Sequence, residues 1–218
     1  MADGGIDMFT EFTPNSSNTK MLRNAFSRFA TGVTIVSCDS LDGHIGMTVN
    51  SFSSISLDPA LIMWAPDKKS SRFKYFEAAE YFAVHVLNSD QYKLCSEFVR
   101  NKNAFDTIAH STSNKGVPLI DNCLARFHCH KFDMHDAGDH KIIIGKVDSA
   151  FESTGNALSF YSGEFGKQTS ITVLSLGFFW DVTSCVKSSY TLPRKAVEFF
   201  ASPGSAVSRL YNSILTCL

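Results

Sequence analysis

From Val33 to Phe151 the apolar residues fall into short runs parted by turn residues, not by regular helices. This spacing most narrows the possible folds. Val33–Cys38 is β-branched and short, Asp42-Gly43 is a turn dipeptide, and His44–Phe52 follows as a second strand, so a hairpin is predicted. Ser56–Pro59 breaks the pattern before Leu61–Ala65, and Tyr81–Leu87, Leu124–Phe132 and Lys141–Phe151 read as further strands. Helices are predicted at Ser71–Ala79, at Ser89–Val99 and at Thr19–Ala30. The last has Leu22, Ala25, Phe26 and Phe29 on one face, Thr19 or Asn18 as its cap and Gly32 at its end. Strands so connected build a mainly β barrel or sandwich with a few short helices, and a doubly wound parallel sheet is excluded.

The flanks differ from this centre. Residues 1–18 are polar and read as a flexible lead-in, 19–166 as the folded unit, and 167–218 as an extension of unknown role. Within the extension Ile171–Trp180 is strand-like, and Pro193–Ala201 and Ser205–Cys217 have the pattern of short amphipathic helices. A 44% hydrophobic share with 19 Phe fills a real core, and 19% charged residues is too few for a disordered chain. A formal net charge of -1 offers no basic excess for polyphosphate, so nucleic acid is not an expected partner. No Lys or Arg precedes Lys20, which argues against a secretory leader, and no run approaches the ~20 apolar residues that span a bilayer. The six cysteines are scattered without a C-x-x-C pair, as suits free thiols. A cytoplasmic protein without membrane attachment is expected.

Common catalytic signatures are absent: no G-x-G-x-x-G after a strand, no phosphate-binding G-x-x-x-x-G-K, no H-E-x-x-H and no G-x-S-x-G. Two stretches carry polar groups where strands end. Gly46–Pro59 (GMTVNSFSSISLDP) offers hydroxyls and an amide on an apolar floor, which suits a flat heteroaromatic ring, although a Ser-rich outer strand face has the same composition. Lys68-Lys69-Ser70-Ser71-Arg72 places cations and hydroxyls at a predicted helix start, a ready phosphate site or an ordinary solvated cap. His128–His140 holds four of the seven histidines, but the ligand spacing is irregular and Cys129 points away from His128 and His130, so no metal is expected.

Taken in order, RFATGVTIVS (28–37), DGHIGMTVNSFSSISLDPALIMW (42–64), KSSRFKYF (69–76), FAVHVL (82–87), PLIDNCLARFHC (118–129), AGDHKIIIGKV (137–147) and YSGEFG (161–166) resemble the short-chain flavin reductases. These are the reductase components of two-component flavin-dependent monooxygenases. The resemblance implies an FMN-binding split barrel, a six-stranded antiparallel Greek-key barrel, as a homodimer. It implies reduction of FMN or FAD by NADH or NADPH, with release of reduced flavin to a partner monooxygenase. The alternative on the same barrel is an electron-transfer protein that retains FMN.

Residue by residue, the resemblance places the backbone of Thr48, Val49, Asn50, Ser51 and Phe52 along the isoalloxazine, and Ser54, Leu57, Asp58 and Pro59 further around the ring. Lys69, Ser70 and Ser71 would hold the phosphate, and Arg28, Ala30, Thr31 and Gly32 would border the cavity. His140, the catalytic candidate, would meet the nicotinamide. His85 stands where the family usually has Asn, and is expected near the distal half of the flavin. The physics agrees: hydride transfer between two stacked rings at roughly 3–3.5 Å needs no covalent nucleophile, because the flavin carries the chemistry.

Overall fold

A computed structural model describes residues 10–168 and two short strands beyond them. In chain order the elements are α1 (Thr19–Phe26), β1 (Thr31–Gly32), β2 (Thr34–Cys38), β3 (Ile45–Val49), β4 (Ser53–Leu57), β5 (Ala60–Trp64), α2 (Phe73–Ala78), β6 (Tyr81–Val86) and α3 (Tyr92–Arg100). They continue with β7 (Ser111–Thr112), β8 (Pro118–Leu119), β9 (Ala125–Ala137), β10 (His140–Glu152), β11 (Ala157–Tyr161), β12 (Glu164–Gln168), β13 (Val173–Ser175) and β14 (Phe178–Trp180).

Seven strands form one antiparallel sheet in the order β3-β2-β6-β9-β10-β5-β4. Its two edge strands, β3 and β4, are consecutive in the chain and separated only by Asn50, Ser51 and Phe52. A flat sheet of this width would hold its edges ~29 Å apart at ~4.8 Å per strand. Four Cα steps from Val49 to Ser53 reach no more than ~15 Å. The sheet is therefore rolled, and its free edges face each other across a split. This is the mainly β split barrel expected from the sequence, but with seven strands in the sheet rather than six, the five-residue strand β4 forming an edge where the sequence predicts a break.

The interior of the roll is packed with Val36, Ile45, Ile62, Trp64, Phe76, Phe82, Val84, Cys129 and Ile143. A second cluster (Val33, Ile35, Leu87, Cys95, Phe98, Phe105 and Leu158) lies outside the wall, between β2, α3 and the small sheet β1-β11-β12. Strand β2 is consequently buried on both faces, which explains its unbroken β-branched run. Two glycines permit the closest approaches: a Cβ on Gly46 would collide with the Phe98 ring, and one on Gly145 with the Phe82 ring.

Several elements depart from the sequence reading. Helix α1 ends at Phe26, and its apolar face is not buried, with Phe26 70% and Phe29 79% exposed. Leu22 is half-buried, while no described part of the chain covers most of Phe26 or Phe29. Asn18 is the N-cap residue, but its Oδ1 accepts from the Asn15 N–H rather than from the helix. Helix α2 begins at Phe73, two residues later than predicted, after turns in which the Ser70 N–H donates to Asp67 C=O and the Phe73 N–H to Ser70 C=O. The strand predicted at Ile171–Trp180 is a small hairpin, β13 paired with β14. The lead-in up to residue 9 and the helices predicted at Pro193–Ala201 and Ser205–Cys217 lie outside the described residues. Among the described residues no helix is long and apolar enough to cross a membrane.

Candidate functional site

The split is where this fold exposes polar backbone. Among the described residues β3 and β4 each lack a strand partner on one side, so the segment from Thr48 to Ser54 presents N–H and C=O groups that a flat ring with donors and acceptors on its edge can satisfy. The side chains of this segment largely turn inward and fix that backbone. Thr48 Oγ1 donates to Cys95 C=O at 3.0 Å. Ser51 Oγ accepts from the Ala65 N–H at 3.0 Å and donates to Ala65 C=O at 3.1 Å, tying the β3–β4 link to the end of β5. Val49 and Phe52 pack on the barrel core, Phe52 stacked on Phe127 with centroids 5.7 Å apart. Asn50 and Ser54 remain exposed.

Because Ser51 is pinned to Ala65, the loop that follows β5 starts beside the split. Here Lys69, Ser70 and Ser71 form a turn, the Lys69 N–H donating to Asp67 Oδ1 at 2.8 Å and Ser70 Oγ accepting from the Arg72 N–H at 3.3 Å. Lys69 and Ser71 are exposed. The same loop touches the tip of the β9–β10 hairpin: Asp67 bridges to His140, the Lys68 N–H donates to Asp139 C=O at 3.0 Å, and the Lys141 N–H donates to Pro66 C=O at 3.1 Å. His140 is half-exposed there, its Nδ1 2.7 Å from Asp139 Oδ1. This hydrogen bond holds the Asp139 carboxyl below the usual carboxylate range. It sets the Nδ1–H tautomer and leaves Nε2 free of partners among the described residues.

Residues 28–32 continue the line of β2 past Thr34, which pairs with Val49. Thr31 and Gly32 pair with Phe160 and Ser159, and Arg28 Nη1 donates to Ser162 Oγ at 3.3 Å, so this border is held by the small sheet. Ala30 is exposed. Thr31 Oγ1 on this border and Arg72 Nε at the end of the Lys69–Ser71 turn are buried without a partner among the described residues. Burying such a group unpaired costs about 1–3 kcal/mol. The donor set of hydroxyls, ammonium and guanidinium around a slot of free backbone is of the kind that suits a flat heteroaromatic ring carrying a phosphate.

Not every expected residue joins this group. Leu57, Asp58 and Pro59 form the β4–β5 turn, at the far end of β4 from Phe52 and ~13 Å or more along it, at ~3.3 Å per residue. His85 is a correction: it is fully buried, its Nδ1–H donates to Ile35 C=O at 3.0 Å, and its Nε2 accepts from the Ile120 N–H at 3.2 Å. Both ring nitrogens are spent on the wall, so none is left for a ligand. Lys68, read in the sequence as one of three phosphate-facing cations, is instead bound to the hairpin, 2.7 Å from Asp136 Oδ1 and donating to Gly138 C=O at 2.8 Å. Spacing gave no sign of this, since the partners lie some seventy residues apart.

His128 and His130 stand on the outer face of β9, beside a cavity of about 420 Å³ shared with Tyr81, Lys115 and Asp148. His130 Nδ1 lies 2.8 Å from Asp148 Oδ1. Among the described residues no group of three or more His, Cys, Asp or Glu is placed to hold a metal ion.

Residues 26–169 match the family described as a flavin reductase like domain. The FMN reductase (NADH) SmoA of Agrobacterium fabrum is 48% identical over 156 residues, covering 72% of this chain and 90% of that protein. The flavin-dependent monooxygenase reductase subunit HsaB of Mycobacterium tuberculosis is 31% identical over 150 residues, covering 67% of this chain and 80% of that one. Among solved structures, the NADH:FAD oxidoreductase SgcE6 of Streptomyces globisporus superposes with a TM-score of 0.70 at 30% identity, covering 78% of this chain and 98% of that chain.

Proposed function

The chain belongs to the flavin reductase-like family, and from that premise we propose that it uses NADH to reduce free FMN and hands the reduced flavin to a separate flavin-dependent monooxygenase. The observation that carries this reading is the convergence at one end of the barrel of a slot of free backbone, a cationic and hydroxyl-bearing turn, and a half-exposed histidine on a hairpin tip. The choice of FMN and NADH draws on SmoA, named an FMN reductase (NADH).

Flavin supplies a hydride-accepting ring, and the chain's own groups hold the two reactants. The Thr48–Ser54 backbone meets the polar edge of the ring, and Phe52 braces that backbone from beneath. Lys69, Ser70 and Ser71 hold the phosphate by charge-assisted hydrogen bonds. They do so as side chains on a turn, since α2 is only six residues long and has little dipole to offer. Asp139 fixes His140 so that Nε2 can accept from the nicotinamide carboxamide. Exposure of Asn50, Ser54, Lys69 and Ser71 suits a flavin that binds and leaves. We assign the reaction to residues 19–166, with 167–218 an addition to that unit, and the working form to a homodimer.

The test is anaerobic mixing of the protein with FMN and NADH. Fast bleaching of the flavin band that depends on the protein is expected, together with loss of flavin on gel filtration. Absence of bleaching with either nicotinamide overturns the reductase reading. Retention of FMN through gel filtration favours an electron-transfer protein on the same barrel.

A further inference from the structure

We propose that Lys68 is a positioning residue for the reaction: by clasping the tip of the β9–β10 hairpin it holds His140 in the place where the nicotinamide arrives. This inference rests on the reading of His140 given above and adds a residue that the motif pattern does not mark. Hairpin residues Asp136, Gly138 and Asp139 are exposed, and Gly138 turns through a positive φ of 66°. Little apolar packing therefore fixes this tip, and its position is set by hydrogen bonds.

Lys68 supplies most of those that tie the tip to the loop after β5. Its ammonium donates to Gly138 C=O at 2.8 Å and pairs with Asp136 at 2.7 Å, while its own N–H donates to Asp139 C=O at 3.0 Å. The side chain is only 33% exposed, against 73% for Asp136. The Lys141 N–H to Pro66 C=O bond completes the clasp; with the Lys68 N–H to Asp139 C=O bond it makes the main-chain bridge between Asp67 and His140. The arrangement has a consequence for the neighbouring residue. Lys68 is turned away from the phosphate turn, so of the two lysines Lys69 is the one left to face a ligand there.

The experiment compares Lys68→Met, Lys68→Arg, Asp136→Asn and His140→Ala with the wild type, after circular dichroism has confirmed folding. Lys68→Met is expected to raise KM for NADH by ~3–10-fold with the FMN dissociation constant unchanged, the scale of one charge-assisted bond plus a partly exposed ion pair. Lys68→Arg should restore most of the loss, and Asp136→Asn should give a smaller change in the same direction. A weakened affinity for FMN relative to riboflavin in Lys68→Met would make Lys68 a phosphate ligand and overturn the proposal. So would a normal KM in Lys68→Met alongside an impaired His140→Ala. If His140→Ala itself is normal, the reading of His140 fails separately. Hydrogen exchange at the Lys68 and Lys141 amides then judges the clasp: faster exchange in Lys68→Met supports it, and unchanged exchange overturns it.

Discussion

His85 shows how a single side chain can be read for function and turn out to hold the wall together. Its ring donates to Ile35 C=O and accepts from the Ile120 N–H, joining β2 and β6 to the segment that follows β8. Only a neutral imidazole can do both. Burial pushes its pKa down to about 3, against the ordinary 6.5. In the unfolded chain His85 takes up a proton as the pH falls through the ordinary value, whereas in the fold it resists. The stability it contributes is therefore complete above pH 6.5 and drains away as the pH falls toward about 3. The slope contributed by this one group is at most ~1.4 kcal/mol per pH unit. His85→Asn, which keeps a neutral donor and acceptor without a titratable ring, should flatten the acid arm of a urea-unfolding profile measured from pH 7.5 to 4.5. Parallel profiles for the two proteins would show that His85 is not the group responsible.

At the scale of elements, the loop Asp67–Arg72 offers the sharpest test of the site. Lys69→Ala combined with Ser70→Ala should weaken FMN binding far more than riboflavin binding, because two charge-assisted bonds to phosphate are lost at about 1.5–3 kcal/mol each. Calorimetric titration of both flavins reads the difference directly, and equal losses would move the phosphate elsewhere. The loop also shows what a sequence can and cannot convey. Strands β2, β3, β5, β6, β9 and β10 are legible because β-branched runs and turn residues are local signals. The segments around Asn50, Lys69 and His140 are legible through their resemblance to a family. Strand β4 was hidden by its serines and by the proline that ends it. The two-residue strands β1, β7 and β8 are too short for any period to register. The Lys68 clasp and the Ser51–Ala65 tie depend on tertiary pairing, which no local pattern encodes.

For the whole molecule the telling feature is the apolar face of α1. The periodicity of Leu22, Ala25, Phe26 and Phe29 predicts a stripe buried in its own chain, yet among the described residues nothing buries any residue of α1, and Phe26 and Phe29 stand out from the surface. Leu57, 86% exposed, is a further large apolar residue left uncovered by the described residues. A monomer rarely leaves so much apolar surface open, and a second copy of the chain is the partner that the family resemblance implies. In a two-fold dimer each phenylalanine counts twice. Burying Phe26 and Phe29 on both copies then gives a gross gain of ~6–12 kcal/mol at about 1.5–3 kcal/mol per side chain. This is comparable with the ~4–15 kcal/mol that association itself costs, so the pair should decide whether a dimer persists at micromolar concentration. We expect the wild type to sediment at about twice 24.0 kDa. Phe26→Lys with Phe29→Lys should sediment as a monomer whose circular dichroism is unchanged, since neither side chain belongs to the core. The variant should also bind FMN more weakly, because α1 leads directly into the 28–32 border of the site. A double variant that remains dimeric would place the interface on another face, and a monomeric wild type would remove the dimer from the functional reading.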